Sequence, residues 1–469
     1  MTRIIPEEEL QQQVSYCEKI RQHYVDTKPD GPPLACIRTF GCQQNVADSE
    51  RMKGMLAEIG FGFTEEAEEA DFILFNTCAV REHACDRVFG NVGALKHIKR
   101  RRPEVIIAVC GCMVQQPHVA EKLKESYPFV GLVFGTHVIH RLPELLWTAL
   151  HQRRQLSVTP QEDGVIAEGL PIHRDGNFKA WLPIMYGCNN FCTYCIVPYV
   201  RGRERSRDPE IILDEAKGLV QQGYKEITLL GQNVNSYGKG ERHGVNFAEL
   251  LRRINAIPGD FTIRFMTSHP KDATTELFDT IAACEKVSRH FHLPFQSGND
   301  RVLKAMNRRY TREQYLSLVR YARVVIPDIS FTSDVIVGFP GETREEFEDT
   351  LSLVKEVGFT SLFTFIFSPR KGTPAAEMDD PIPMETKTAW FKELSELQEA
   401  VSAERLAKLV GTEQRALLET AEDGYIEARL ASNSVVRVEA DPQMVGRYAT
   451  IRIDDARSWI MHGTVLTVE

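Results

Sequence analysis

The sequence predicts an α/β protein in three folded parts: an N-terminal parallel-sheet domain, a central open (β/α)6 barrel and a small C-terminal β-barrel. Three observations carry this. Between residues 34 and 150, short β-rich runs alternate with helical stretches, as in βαβ units around a parallel sheet. Between 180 and 370 the alternation returns through six strand-like runs, fewer than the eight of a closed (β/α) ring. After 410 the runs shorten and alternate, as in a small antiparallel barrel. A chain of 469 residues is too long for one ordinary core. The expected divisions are a leader (1–33), a first domain (34–152), a linker (153–177), a barrel (178–409) and a last domain (410–469).

Composition narrows the setting. Charged residues make up 26% and apolar residues 43%, the balance of a soluble globular protein. No apolar run reaches the ~20 residues that span a bilayer. The N-terminus, Met-Thr-Arg-Ile-Ile-Pro-Glu-Glu-Glu-Leu, has no apolar signal-peptide core. A cytoplasmic monomer is expected. In a reducing compartment the eleven cysteines point to metal or catalytic roles rather than disulfides. The net charge of −9 speaks mildly against nucleic-acid binding, which wants basic surface. Two local basic stretches, 96–102 and 201–207, stand against that.

Residues 7–26 read as an acidic, Gln-rich helix of weak periodicity, a solvated or partly ordered leader. In the first domain, strands are expected at 35–40, 72–76, 105–110 and 131–134. Helices are expected at 46–59, 81–102, 115–126 and 141–152. Cys42 follows the first strand, Cys78 the second and Cys112 the third. In a parallel sheet these C-terminal strand ends open onto one edge, where such folds bind ligands. The three thiols should therefore converge. Glycines beside Cys42 and Cys112 let the backbone pass close to a bulky group. Cys36 and Cys110 fall inside strand runs and Cys17 and Cys284 in helical ones, all read as packing residues. Cys85 is a possible substitute for Cys78, but the strand end favours Cys78.

Residues 153–177 lack periodicity and read as a linker. Barrel strands are expected at 181–185, 226–230, 262–266, 290–293, 329–337 and 362–367. A polar or glycine-bearing loop follows each: 186–195, 231–235, 267–270, 294–298, 338–342 and 368–374. Chemistry in such barrels sits at this rim. Gln232, Asn233, Ser268 and Gln296 can bond hydroxyls or a carboxylate. Gly338 allows close approach of a ligand, and Asp334 is either structural or part of the site. With Tyr194, these are the candidate cofactor-binding residues.

The first rim loop holds Cys188, Cys192 and Cys195, spaced C-x3-C-x2-C. Three thiolates on one short loop can hold three irons of a 4Fe–4S cluster and leave the fourth open to a small chelator. Structural zinc wants four closed ligands, and no Cys or His follows closely enough to complete them. Three cysteines cannot pair internally as disulfides. Packed core cysteines have no reason to gather on a loop with Gly187 and two asparagines. Cys42, Cys78 and Cys112 form a second set of three, again with one iron left over if it holds such a cluster.

Residues 385–409 read as a packing helix through Trp390, Leu394, Leu397, Val401 and Leu406. In the last domain strands are expected at 414–418, 435–438, 448–453 and 463–468. Small barrels of this type often bind nucleic acid. This one carries six Lys and Arg against ten Asp and Glu. Arg437, Arg447 and Arg452 are the candidates for a basic face, and Asn433 is placed at a turn.

The cysteine loop, with Tyr194 before its last cysteine, resembles that of the radical S-adenosylmethionine (SAM) superfamily. The whole of 34–469 resembles the methylthiotransferases. The resemblance rests on Thr39-Phe-Gly-Cys-Gln-Gln-Asn-Val-Ala-Asp-Ser-Glu50, Asn76-Thr-Cys-Ala-Val-Arg81, Gly111-Cys-Met113, His292–Gly298 and Asp334–Glu342. Gln44 stands where many members carry Met. The resemblance implies an N-terminal cluster domain, a radical-SAM barrel and a C-terminal TRAM domain. It implies two 4Fe–4S clusters and SAM as cofactors. The cluster on Cys188, Cys192 and Cys195 would cleave SAM to a 5′-deoxyadenosyl radical, so these cysteines are also the catalytic candidates. The cluster on Cys42, Cys78 and Cys112 would carry or donate sulfur, and a second SAM the methyl group.

Of three branches, Thr267–Asp272, Arg301–Tyr310 and Phe367–Ala376 look most like the one that modifies C2 of N6-isopentenyladenosine beside the tRNA anticodon. The other branches act on threonylcarbamoyladenosine in tRNA or on a ribosomal-protein aspartate. The implied partners are tRNA, a flavodoxin-type or ferredoxin-type electron donor and a sulfur donor. Arg201, Arg203, Arg205, Arg370 and Arg437 are the candidate RNA contacts. A different class, a non-catalytic metal-binding RNA-interaction protein, stays open.

Overall fold

The computed structural model describes residues 4–29, 31–79, 82–152, 154–160, 165–457 and 460–469. Val80 and Arg81 of the Asn76–Arg81 motif, and residues 161–164 of the expected linker, lie outside the described residues. The chain forms two compact units. The first comprises Met1–Asp175, Met185–Asn189 and Cys195–Arg207; the second comprises Gly176–Ile184, Asn190–Tyr194 and Asp208–Glu469. Among the described residues no helix is long and apolar enough to cross a membrane.

The first unit is built on a six-stranded parallel sheet. Its order is Gly62–Phe63, Leu34–Thr39, Phe72–Thr77, Ile106–Gly111, Leu132–Phe134, Leu156–Val158. The third and fourth of these are buried along their whole length. That is why they read as near-continuous apolar runs. One face packs Phe72, Leu74 and Ala108 against Leu56 and Leu146 of helices Gln43–Ile59 and Leu142–His151. The other packs Ile73, Phe75 and Ile107 against Val88, Val92 and Leu123.

Two expectations are corrected here. The leader is a docked helix, Glu7–Thr27, whose Cys17, Ile20 and Tyr24 join the first of these cores. Its i, i+3, i+7 stripe is enough to anchor it, although Glu and Gln dominate its composition. The expected linker contains Leu156–Val158, which pairs in parallel with Leu132–Phe134 as the sixth strand. A three-residue edge strand is too short to show a period.

The second unit holds six parallel barrel strands in two groups of three. One group has the order Thr262–Phe265, Glu226–Leu230, Lys179–Pro183; the other has His290–His292, Ser330–Val337, Ser361–Ile366. A single parallel bridge, Ile263–Val287, links the groups, so the strands form an open arc in chain order. Helices Arg312–Val325 and Arg344–Val357 each begin with a capping box, Thr311 with Gln314 and Thr343 with Glu346.

The long helix Met384–Ala407 buries Trp390, Leu394 and Leu406 as expected, but Gln398 and Ser402 lie on its buried side while Leu397 and Val401 are half-exposed. Gln398 donates to Phe359 O at 3.0 Å and Ser402 to Thr360 O at 2.7 Å. The stripe therefore satisfies the carbonyls that lead into the sixth barrel strand.

The last five strands close into a barrel of order Glu413–Glu422, Tyr425–Leu430, Val435–Val438, Ile460–Val468, Tyr448–Arg457. Its core is Leu418, Ile426, Ala428, Val436, Ile451 and Ile453, with Leu406 of the long helix. Tyr425–Leu430 is a strand the sequence reading lacks. Asn433 takes a left-handed φ of 67° at the following turn.

Candidate metal centres

Sheet register brings the first cysteine set together. Thr77 pairs with Gly111, so Cys78 and Cys112 leave adjacent strands at the same level. Cys42 is the N-cap of the helix Gln43–Ile59, where the helix dipole favours a negative charge. Gly41, at φ 115°, presses on Cys78: a Cβ there would stand 2.4 Å from the Cys78 Cβ and 2.9 Å from its Sγ. Gly111, at φ 98°, has no room for a Cβ either, since it would lie 2.3 Å from Thr77 O. These two positions require glycine.

Asn45, fully buried, knits the strand ends. Its amide donates to Phe40 O at 2.7 Å and Thr77 O at 3.0 Å. Arg201 completes the centre. It donates Nε–H to Cys112 Sγ at 3.0 Å, Nη1–H to Asp48 Oδ2 at 2.7 Å and Nη2–H to Asn45 Oδ1 at 2.6 Å. Burial pushes the Cys112 thiol up to about 12, against the Arg201 charge. Burial works against the Arg201 charge, but Asp48, Cys112 and Cys42 outweigh it and hold the guanidinium firmly protonated. Such a thiol ionises only with a strong electrophile beside it.

The expectation of Arg201 at an RNA phosphate is corrected: its side chain is 6% exposed and committed to this centre. Arg205 is also buried, donating to Arg203 O at 2.7 Å and Arg201 O at 3.2 Å. Arg203 is exposed.

The second cysteine set lies on one eight-residue stretch of chain, 188–195. Cys188 and Cys192 are buried and Cys195 half-buried. In the first unit, Cys188 N–H donates to Gly202 O at 3.1 Å. In the second unit, the segment Asn190–Tyr194 is strapped to the turn after helix Asp300–Ala305. Thr193 N–H donates to Met306 O at 3.1 Å, and the Asn307 amide donates to Asn190 O and Phe191 O at 3.2 and 2.9 Å. Arg308, buried, donates Nη1–H to Cys192 Sγ at 3.6 Å and bonds Pro294 O. Lys271 donates to Asn190 Oδ1 at 2.6 Å. Burial, then the charges of Arg308 and Lys271, keep His269 neutral.

Sequence reasoning missed Arg201 as a cysteine partner, and it assigned no role to Arg308, Asp48, Lys271 or His269. All four lie in stretches that carry the family resemblance, Thr39–Glu50, Thr267–Asp272 and Arg301–Tyr310.

Free thiols are the donors an iron–sulfur cluster takes, and Cys42, Cys78 and Cys112 supply three of them at neighbouring chain turns of the first unit. Among the described residues, no group of three His, Cys, Asp or Glu is placed to hold a single metal ion. Thiolates of a cubane cluster each take a different iron, so they need not converge on one point. Cys36 and Cys110 are fully buried in the cores, and Cys85 is half-buried with its thiol toward Cys78 O, as packing residues.

The other predicted residues spread along the barrel rim. Tyr194 packs with Val302, Met306 and Phe339. Gln232 is half-buried. Asn233 donates to Asp272 at 2.8 Å, while its Oδ1 is buried without a partner. Ser268 donates to His292 O. Gln296 sits at φ 67° between Asp334 O and Ile336 N. Asp334 lies 3.5 Å from His292 Nε2. Phe363, the register partner of Asp334, stands on the same sheet face and is 48% exposed. Gly338 N–H is given to Glu342 at 2.7 Å, and the Lys387 side chain fills the space where a Cβ would go.

The expected basic surfaces are corrected in part. Arg437 pairs with Glu427 at 3.0 Å and Arg452 with Asp454 at 2.7 Å, while Arg447 donates to Glu469 O at 3.0 Å. Arg437 and Glu427 are register partners on neighbouring strands, Arg452 and Asp454 are neighbours along one strand, and none of the three arginines points to a shared basic face. In 96–102, Lys99 and Arg102 turn back onto main-chain carbonyls and Asp71. Arg370, half-buried, donates to Ser368 Oγ at 3.0 Å.

Comparison with known proteins agrees with this geometry. Residues 182–354 match the model of the Radical SAM superfamily, and 35–135 match the uncharacterized protein family UPF0004. The radical SAM methyltransferase TsrM from Kitasatospora setae shares the fold, with a TM-score of 0.54, 16% identity and coverage of 74% of this chain and 77% of that chain. A radical SAM domain implies SAM and a 4Fe–4S cluster. The tRNA-2-methylthio-N(6)-dimethylallyladenosine synthase of Acetivibrio thermocellus is 47% identical, covering 98% of this chain and 97% of its own. The enzyme of the same name from Caldicellulosiruptor saccharolyticus is 48% identical over 92% of each chain. The chain belongs to this family of radical SAM methylthiotransferases.

Proposed function

We propose that this protein adds a methylthio group to C2 of N6-isopentenyladenosine next to the anticodon of tRNA, acting in the cytoplasm as a monomer. The observation that carries the reading is the presence of two separate three-cysteine sets in one chain, each with a buried arginine donating to one of its sulfurs. One set would hold the SAM-cleaving cluster through Cys188, Cys192 and Cys195; the other would hold a second cluster through Cys42, Cys78 and Cys112. When bound, these groups and SAM supply the radical that removes hydrogen from an unactivated C–H, and the sulfur and methyl that replace it.

The protein's own part is binding, orientation and exclusion of water. Gln232, Asn233, Ser268, Gln296 and Asp334 would line the strand ends where SAM would sit, with Tyr194 packed behind, while Gly338 gives its room to Lys387 rather than to a ligand. Phe363 offers an exposed ring on the sheet face shared with Asp334 and His292. A base splayed from a single-stranded loop stacks on such a ring. Arg203 and Arg370 remain the candidate phosphate contacts. A flavodoxin-type or ferredoxin-type protein would deliver electrons, and a separate donor would supply sulfur.

Mass spectrometry of tRNA nucleosides from a strain lacking this gene tests the reading. Loss of the methylthio group from isopentenylated adenosine, restored by the intact gene, is expected. Its persistence sends the activity to another substrate.

A further inference from the structure

We propose that Arg201 is a positioning residue that sets the reduction potential of the cluster held by Cys42, Cys78 and Cys112, acting through its hydrogen bond to Cys112. This rests on the cluster assignment above, and the experiment below separates the two.

The side chain is fixed at all three corners. Asp48 and Asn45, which receive Nη1–H and Nη2–H, both lie on the helix that Cys42 caps. The third nitrogen, Nε, then directs its N–H at Cys112 Sγ, at 3.0 Å. Asn45 is itself held by Phe40 O and Thr77 O, so the donor is referenced to the same strand ends that carry the cysteines. Cys110, two residues away, does not compete, since its thiol faces Met52 Sδ at 3.8 Å.

A guanidinium so placed has two effects of one sign. Its N–H withdraws electron density from the thiolate sulfur, and its charge, screened little in the interior, favours the more negative cluster state. Both raise the potential.

The test uses the full chain carrying Cys188→Ala, Cys192→Ala and Cys195→Ala, so that a single cluster is loaded under anaerobic conditions. Arg201→Gln and Arg201→Lys are made in this parent. Iron content, circular dichroism and a redox titration followed by electron paramagnetic resonance are measured. Both variants are expected to keep the parent's iron. Arg201→Gln should lower the midpoint so that the oxidised-to-reduced ratio at the parent's midpoint rises about tenfold, or about 59 mV for one electron. Arg201→Lys, which keeps the charge and loses the Nε donor, should fall between. An unchanged midpoint in iron-replete Arg201→Gln overturns the proposal. So does loss of iron from Arg201→Lys, which would make Arg201 a folding residue. A parent that takes up no iron overturns the cluster assignment and this proposal with it.

Discussion

Arg201 donates Nη1–H to Asp48 Oδ2 at 2.7 Å, with both side chains about 95% buried. Removing one partner of such a pair leaves an uncompensated buried charge and costs about 3–5 kcal/mol. Asp48→Ala is expected to destabilise the first unit by about 3 kcal/mol on that basis. Asp48→Leu combined with Arg201→Met should cost less than the two single changes added together. Urea unfolding of the apo chain, Asp48→Ala, the two single changes Asp48→Leu and Arg201→Met, and their combination checks this. Additive costs would mean that the pair contributes nothing as a pair.

Replacing Cys42, Cys78 and Cys112 by alanine should remove about half of the iron, since one of two thiolate-held clusters is lost. SAM cleavage should continue and methylthio product should disappear. Iron analysis and product chromatography on one anaerobic preparation settle both halves. Unchanged iron would sink the two-cluster reading.

Much of the fold is legible in the sequence because parallel strands are buried on both faces. The strand Glu226–Leu230 falls where its apolar run ends, and Ser330–Val337 is off by one residue. Where burial is one-sided or short, the signal fades. Tyr425–Leu430 buries Ile426, Ala428 and Leu430, but Ala is a weak apolar marker between Glu427 and Arg429. The cysteines were legible because spacing and strand ends suffice to place them. Arg201 was not, because its partners Cys112 and Asp48 lie 89 and 153 residues away in the chain. A basic run reads as solvent-facing until the fold buries it.

The contact of Gly41 with Cys78 predicts a local effect on the first centre. Gly41→Ala places a methyl 2.4 Å from the Cys78 Cβ at a backbone φ of 115°. Destabilisation of about 1–3 kcal/mol and a lowered iron content are expected. Gly131→Ala is the control, since its new Cβ meets nothing closer than 3.7 Å and its φ is ordinary. Iron per chain should fall in the first variant and hold in the second. Equal iron in both would show that Cys78 tolerates displacement.

Glu342 predicts a pH dependence confined to one window. Burial raises its carboxyl to about 7 from 4.5, although Gly338 and Phe339 N–H both donate to it. A group raised in the folded state contributes stability fully below its unfolded value and loses it as pH rises through the folded one. Between pH 4.5 and about 7, the loss is of the order of 3 kcal/mol. Glu342→Gln keeps an acceptor for both N–H groups and removes the titration. The stability of the wild-type apo chain relative to this variant should therefore decline across that window and flatten above it. Thermal unfolding of both chains from pH 4 to 8.5 gives the comparison. Parallel curves would place the Glu342 pKa near its ordinary value.

Phe363 bears on substrate binding. Its strand partner Asp334 and the His292 ring, with centroids 5.9 Å apart from its own, share its face of the sheet. The residues on the opposite face, Ser333, Val335 and Val337, are buried. A large ring left 48% exposed on an inward-facing barrel strand has no packing reason to be aromatic. Base stacking does supply one, at about 1–3 kcal/mol per base. Phe363→Ala should therefore raise KM for an isopentenylated anticodon stem-loop about tenfold or more. SAM cleavage without RNA should be unaffected, and Phe363→Tyr should restore binding while Phe363→Leu restores it only in part. Steady-state kinetics on the four chains distinguishes stacking from simple volume. If Leu restores KM as fully as Tyr, the ring serves packing and the base is held elsewhere.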